Sequence, residues 1–223
     1  MQNNENQSAA EKINNFITNN RKAIFTVIFI IIAAFVVLIA YFSITDSINK
    51  KAIIALDELN GKFDELKLDN EEDYNAPEVE TLLAEIKKFA EKTNGFAGTK
   101  AWAIIGQIYS GRKDWVNAQE AWLSAAKKGN KTYLAPIALF NAAAAAEEQG
   151  NLEQAIGLLE QSVAHKFEFP AAARAQFSIG RLHETLGNKT AAVEAYRVIL
   201  SKWPELPVWQ NLARSRIAVI EEK

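Results

Sequence analysis

Twenty consecutive residues, Ala23 to Phe42 (AIFTVIFIIIAAFVVLIAYF), carry no charge and are polar only at Thr26 and the tip of Tyr41. As a helix rising about 1.5 Å per residue, the run is about 30 Å long, the thickness of a bilayer's hydrocarbon core. No water satisfies the backbone inside lipid, so a lone spanning segment has to be helical. Its Ile, Val, Leu and Phe side chains together favour insertion by roughly 4 to 8 kcal/mol. A buried core helix rarely stays apolar on every face over such a length. A cleaved leader would be shorter and end at a small-x-small site, whereas this run exits through Tyr41 and Phe42, with Ser43-Ile44-Thr45 a poor substitute. The run therefore reads as one transmembrane helix contacting lipid through residues 23–42. Arg21 and Lys22 abut its N-terminal end, while Lys50 and Lys51 lie farther off on the other side. The positive-inside rule then puts the N-terminus in the cytoplasm and the rest of the chain outside it.

The 223 residues contain no cysteine. That removes disulfides, thiolate metal sites and cysteine nucleophiles, and a large helical core needs no such staples. The net charge of −2 comes without a basic block, which leaves nucleic acid no electrostatic footprint.

Residues 1–12 are polar, expected to be disordered apart from a short helix before the span. Beyond the span, Ile44, Ile48, Ala52, Ala55, Leu56, Leu59, Phe63 and Leu66 recur in steps of three and four. That is the period of an amphipathic helix, continuous with the transmembrane one. Leu68 to Ala76 is acidic and turn-rich. Pro77 suits the first turn of a new helix carrying Val79, Leu82, Leu83, Ile86, Phe89 and Ala90 on its apolar side, and Asn94-Gly95 ends it.

From Trp102 onward the chain repeats itself. Trp102-x-x-Ile105-Gly106-x-x-Tyr109 is followed by Ala118-x-x-x-Trp122-x-x-Ala125. A shift of 37 residues brings Ala143 onto Gly106, and Ala155 and Leu159 onto Ala118 and Trp122; a second shift brings Gly180, Ala192 and Tyr196 there. Lys113-Asp114, Gly150-Asn151 and Gly187-Asn188 fall where each unit must turn, and the third unit closes on Pro204. Small residues at Gly106, Ala143 and Gly180, facing Ala118, Ala155 and Ala192, let two helices of one hairpin approach closely. Trp122, Leu159 and Tyr196 are expected to fill the space between one hairpin and the next. Ala142, Ala143 and Ala146 predict close, Ala-rich packing in the second unit. Hairpins of this kind cannot bury their apolar faces alone, so they stack and need end caps.

These residues resemble the tetratricopeptide repeat, W-x-x-L-G-x-x-Y followed by A-x-x-x-F, over about residues 99–204. The fold expected is all-α: an N-terminal single transmembrane helix followed by an α-solenoid of tetratricopeptide hairpins with a C-terminal capping helix. The divisions are a polar tail at 1–22, the span at 23–42, a membrane-proximal helix with a degenerate first hairpin at 43–97, and three hairpins plus the cap at 98–223. In the capping helix, Val208, Leu212, Ile217 and Ile220 are expected to face the last hairpin, with Arg214, Arg216, Glu221 and Glu222 in water.

Nothing points to catalysis. His183 stands where the repeat pattern has a tyrosine and reads as a packing residue; His165 lies at a helix end, where C-terminal capping is expected. Neither has metal-pair spacing, and no Gly-rich phosphate loop is present. Glu147 and Glu148 read as a solvated helix end. The Asn-Lys-Thr sequons at Asn130 and Asn188 are ascribed to chance. No cofactor and no metal are expected.

The family's function usually lies on the concave surface made by the first helix of each hairpin. The resemblance carries that surface onto Lys100, Ala103, Gln107 and Ser110 in unit one. In unit two it falls on Ile137, Phe140, Asn141, Ala144 and Glu147, and in unit three on Arg174, Phe177, Ser178, Arg181 and Glu184. Of the family's carboxylate clamp for chaperone tails only Asn141 and Arg174 match, so that binding mode is not expected. Phe140, Phe177 and Ile137 flanked by Arg174 and Arg181 would suit a peptide with apolar anchors and some acidic character.

The expected function is a membrane-tethered protein–protein interaction scaffold of the bacterial cell envelope, with its repeats in the periplasm and proteins or peptides as partners. A short tail, one span and a small repeat domain resemble the YfgM-like ancillary subunit of the bacterial protein-export translocon, which implies help with export or periplasmic chaperoning. Two alternatives stand beside it. One is a docking receptor facing the cytoplasm. The other is a structural envelope protein made a homodimer by a coiled coil over Ile44 to Leu66, about three heptads.

Overall fold

The computed structural model describes residues 9–69 and 73–222; the start of the polar tail and residues 70–72 of the acidic connection lie outside the described residues. Every regular element among the described residues is a helix: α1 (Ala9–Asp69), α2 (Pro77–Lys92), α3 (Gly95–Gly111), α4 (Trp115–Lys128), α5 (Leu134–Glu148), α6 (Leu152–Val163), α7 (Ala172–Thr185), α8 (Lys189–Lys202) and α9 (Pro207–Glu221). The chain divides into two compact units, Met1–Lys51 and Ala52–Lys223, so α1 contributes to both.

The first unit is the N-terminal part of α1. This helix is long and apolar enough to cross a membrane, and none of its most apolar stretch is buried in the chain. Phe25 and Phe29 are about as exposed as side chains on an isolated helix, at 70% and 72%. The hydroxyl inside the run does not compete for solvent, because Thr26 Oγ1 donates to the Lys22 carbonyl at 2.9 Å. Thr45 Oγ1 does the same to Tyr41 at 2.8 Å. Such back-bonding satisfies a hydroxyl locally where water is scarce.

The second unit begins as a three-helix cluster. Leu56 and Phe63 of α1 are buried with Val79, Leu82, Leu83 and Ile86 of α2 and with Ala101, Ile104, Ile105 and Ile108 of α3. Pro77 opens α2 with its fixed φ at the first helical turn. The hairpins α3–α4, α5–α6 and α7–α8 follow, each stacked on the last, with α9 laid on α8. Fully burying one side chain such as Ile86 or Ile104 contributes about 1.5–3 kcal/mol.

The three hairpins turn by one recipe. Asp114 N–H donates to Tyr109 O at 2.9 Å, Asn151 to Ala146 at 2.9 Å and Asn188 to His183 at 2.8 Å. These six-residue closures are Schellman motifs, which put the preceding residue in the left-handed region. Gly150 and Gly187 sit there at φ 79° and 77°, but the first hairpin places Lys113 there at φ 57°.

Close approach inside a hairpin depends on glycine at two points. A Cβ built on Gly106 would lie 2.6 Å from the Trp122 ring, and one on Gly180 would lie 2.5 Å from the Tyr196 ring. The large residue thus lies over the small one of its own hairpin, rather than only spanning to the next hairpin as the repeat pattern suggested. The middle hairpin balances volume the other way, with Ala143 at the glycine position and Leu159 at the aromatic one, both buried. Its neighbours Ala138, Ala142, Ala145 and Ala146 are buried as well, which is the Ala-rich packing expected.

A half-buried ammonium and a buried amide tie helix ends together. Lys128 Nζ donates to the carbonyls of Ala90 at 2.7 Å and Thr93 at 2.6 Å, closing the C-terminus of α2. Burial holds its pKa below the ordinary lysine value. Gln210 Nε2 donates to Ile199, Leu200 and Trp203 at 3.1–3.2 Å, closing the C-terminus of α8. The last carbonyls of a helix lack intrahelical partners; of those at the end of α8, Ile199 also accepts the Trp203 N–H and Trp203 the Leu206 N–H, each at 3.2 Å. Holding Gln210 and Ala213 inward fixes the rotation of α9, and this corrects the expected face. Ile217 and Ile220 do pack on the core, but Val208 and Leu212 point to solvent. Arg216 stays half-exposed, but its guanidinium turns back to pair with Glu184.

Two glycine substitutions should move stability in opposite directions. Gly106→Ala forces a methyl into the buried Trp122 ring and should lower stability by about 1–3 kcal/mol. Gly157→Ala, mid-helix with nothing within 4 Å, should raise it by about 0.5–1 kcal/mol. At the turns, Lys113→Gly should relieve left-handed strain, whereas Gly150→Ala should add it, each by about 1 kcal/mol. Urea midpoints followed by circular dichroism would read all four.

Candidate functional site

The first helices of the hairpins line one face. Among them α3 packs on α5 and α7 on α9, which puts this side on the inner radius of the stack. Along that face the residues fall into rows one repeat apart, and each row has a different fate.

The lower row is Ser110, Glu147 and Glu184. Here the polar tips of the hairpin aromatics land. Trp122 Nε1 donates to Ser110 Oγ at 3.3 Å, and the Tyr196 hydroxyl donates to Glu184 Oε1 at 2.6 Å. Leu159 has no polar tip, and Glu147 turns instead to Arg181 of the next hairpin at 2.7 Å. Arg216 of α9 clasps Glu184 with both Nε and Nη2. A ladder of acid–base pairs therefore joins α5 to α7 and α7 to α9. Arg181, Glu184 and Glu147, expected to meet a partner or solvent, here meet one another and α9. Glu148 is exposed as expected.

The middle row holds the aromatics, both half-buried. Phe177 lies 5.1 Å from the Tyr196 ring and 5.7 Å from Trp209 of α9. Phe140 lies 6.0 Å from Phe169, which is itself buried just before α7. The Arg174 guanidinium sits over the Phe140 ring at 5.5 Å, within cation–π range. Ile137 is half-buried against the same core cluster.

The open part of the face lies over α3 and α5. Gln107 is exposed, Lys100 and Asn141 are half-exposed, and none of the three has a hydrogen-bond or ion-pair partner among the described residues. Lys100, Gln107, Ile137, Phe140, Asn141 and Arg174 thus form a continuous stretch over α3, α5 and the start of α7. Polar groups with unused hydrogen-bonding capacity surround half-covered apolar ones. Phe177 and Glu184 are already engaged by α9, and Arg181 by Glu147 of α5.

The residues that sequence reasoning missed come from α9 and the α6–α7 connection: Trp209, Arg216 and Phe169. A third 37-residue shift was the available signal, since it lays Ile217 on Gly180 and makes α9 the first helix of a fourth unit. His165 also differs from expectation. Its backbone N–H does close the end of α6 on Ser162 O at 3.3 Å, but its side chain turns away, accepting the Phe167 N–H through Nδ1 at 3.2 Å and stacking on that ring. His183 packs as expected, with its Nδ1 buried and without a partner. Among the described residues no group of three or more His, Asp or Glu side chains is placed to hold a metal ion.

Residues 105–166 and 148–207 match the tetratricopeptide repeat family model. A TPR repeat-containing protein of Treponema pallidum (strain Nichols) is 37% identical over 143 residues, 63% of this chain and 59% of that protein. The chain thus spans less than two thirds of this relative's length. Two solved structures share the fold: the nearly identical TPR-like repeats of a Podosopora anserina kinesin-light-chain-type protein, and a point variant of those same repeats. They superpose with TM-scores of 0.58 and 0.56 at 15% and 13% identity, over 75% of this chain and 86% and 85% of theirs. At that identity the likeness concerns fold alone.

The ladder has a pH signature. Burial, and then the hydrogen bond to Glu184, raises the Tyr196 pKa well above its ordinary 10.0. The folded chain therefore keeps a proton that the unfolded chain loses above about pH 10, so the stability from this group is full below that pH and declines as pH rises beyond it. Tyr196→Phe should flatten this alkaline decline in urea midpoint, while the wild-type chain keeps it.

Proposed function

Taking residues 105–207 as a tetratricopeptide repeat array, we propose that the protein is a non-catalytic, membrane-tethered scaffold binding a peptide or protein segment on the inner face of α3 and α5. The observation that carries this reading is the split of that face. Its α7–α9 end is closed by the Glu147–Arg181 and Glu184–Arg216 pairs, while Gln107, Asn141 and Lys100 stay unengaged beside Phe140 and Arg174. A segment with an apolar anchor for the Phe140 edge and amide or carboxylate groups for the polar rim fits there. Tetratricopeptide arrays bind other proteins, and the exposed apolar helix before the array supports a tether.

The tether reading places lipid around residues 23–42, the N-terminus in the cytoplasm beside Arg21 and Lys22, and the array outside the cytoplasm of a bacterial inner membrane. In that setting the architecture resembles the ancillary translocon subunit, and the segment held would belong to an exported protein or an envelope chaperone. The docking-receptor reading differs only in the side of the membrane. A phosphatase fused after the last residue should be active under the first arrangement and silent under the second.

A photo-crosslinking residue at Gln107 or Asn141 of the intact membrane-embedded protein should capture a protein partner. The same probe at Glu120, exposed on the second helix of a hairpin, should not. Equal capture at all three positions, or none at the inner two, would remove this site from consideration.

A further inference from the structure

We infer that the edge of the array where α2 and α4 end and α3 and α5 begin docks onto an anionic lipid bilayer. Lys128 draws these helix ends together through its bonds to Ala90 and Thr93, and Gly129 lies against Thr99. Lys92, Phe96, Lys127, Lys131 and Tyr133 are thereby gathered on one edge. All five are exposed, Phe96 at 41% and Tyr133 at 54%. Among the described residues none of the three lysines is paired with a carboxylate, and Glu91 is the one acid among them in the sequence. Phe96 and Tyr133 stand one repeat apart, at the first turn of α3 and just before α5. Neither belongs to the inner-face stretch described above. Unpaired lysines interleaved with exposed aromatic rings suit the headgroup layer, where rings settle at the interface and each cation is drawn by the surface potential.

Chain length limits how far this edge can lie from a membrane that holds residues 23–42. Lys62 of α1 bridges to Glu85 of α2 at 3.6 Å, and Leu66 shares a cleft with Thr81 and Leu82. This antiparallel pairing puts Ala52, where the chain enters the second unit, at the level of the end of α2. Only residues 43–51 separate that point from Phe42. They reach about 14 Å as helix and about 30 Å fully extended. The inference rests on residues 23–42 being a membrane span, and the test separates the two claims.

The intact protein would be reconstituted into phosphatidylcholine vesicles and into vesicles with about one third phosphatidylglycerol. Both would carry a headgroup-level lipid quencher and a matched quencher in the acyl region. Because the chain has no cysteine, single labels can be placed at N130C between the lysines, at E148C on the opposite edge and at I32C in the apolar run. The N130C label should be quenched several-fold more in anionic than in neutral vesicles. Lys92→Gln, Lys127→Gln and Lys131→Gln combined, with helicity unchanged, should return it to the neutral level. The E148C label should stay unquenched in both. An I32C label quenched in every vesicle with an N130C label equally unquenched in both overturns the docking and leaves the span standing. An I32C label that is never quenched overturns the span itself, and the docking with it.

Discussion

The second unit depends on how closely two helices of one hairpin approach, and at two of three hairpins that distance is set by an aromatic ring lying on a bare glycine. Trp122 over Gly106 and Tyr196 over Gly180 leave no room for a methyl group. Interiors packed to crystal density respond to such contacts by moving helices rather than compressing atoms. Where the ring is replaced by Leu159, the facing residue grows to Ala143, so the sum of volumes is kept. The same rings carry their polar tips to Ser110 and Glu184, so the packing of the hairpin decides which inner-face groups are already occupied.

That occupancy divides the inner face electrostatically. A pair exposed on both sides, such as Arg197–Glu221, contributes little in water. The clasp between Arg216 and Glu184 is different, because Glu184 is mostly buried and also accepts from Tyr196. Networks of this kind fix geometry as well as energy. Here they bind α9 to the array as a partial fourth repeat. Gln210 reinforces that position by donating to three carbonyls at the end of α8. The cap is thus held by polar contacts at both of its ends, while Val208 and Leu212 remain outside.

A tether would change what the open stretch around Phe140 needs to achieve. A site confined to a membrane surface meets other membrane-bound segments at a raised effective concentration, so modest contacts suffice. An edge held against the headgroups would restrict the array further and present its inner face in a narrower range of directions.

Much of this architecture was legible in the residues themselves. The 37-residue register located the three hairpins, because small and large residues recur where helices must approach. The turns were readable at Gly150 and Gly187, and by register at Lys113, despite its lysine. The apolar run was identifiable because every side of it lacks charge. The candidate site was less legible. Periodicity says which helix face is inward, but not which polar side chain another helix will engage. That is why Arg181, Glu184 and Phe177 read as a binding rim in sequence yet lie against Glu147, Arg216 and Trp209 in the folded chain. The rotation of α9 escaped for the same reason. Its apolar pattern favoured Val208 and Leu212, but Gln210 turns inward to the carbonyls at the end of α8 and leaves those two side chains in solvent. Local sequence thus determined the elements and their order, through side-chain size and helical period. Only tertiary structure decided which inner-face groups remain free, because that depends on partners 30 or more residues away.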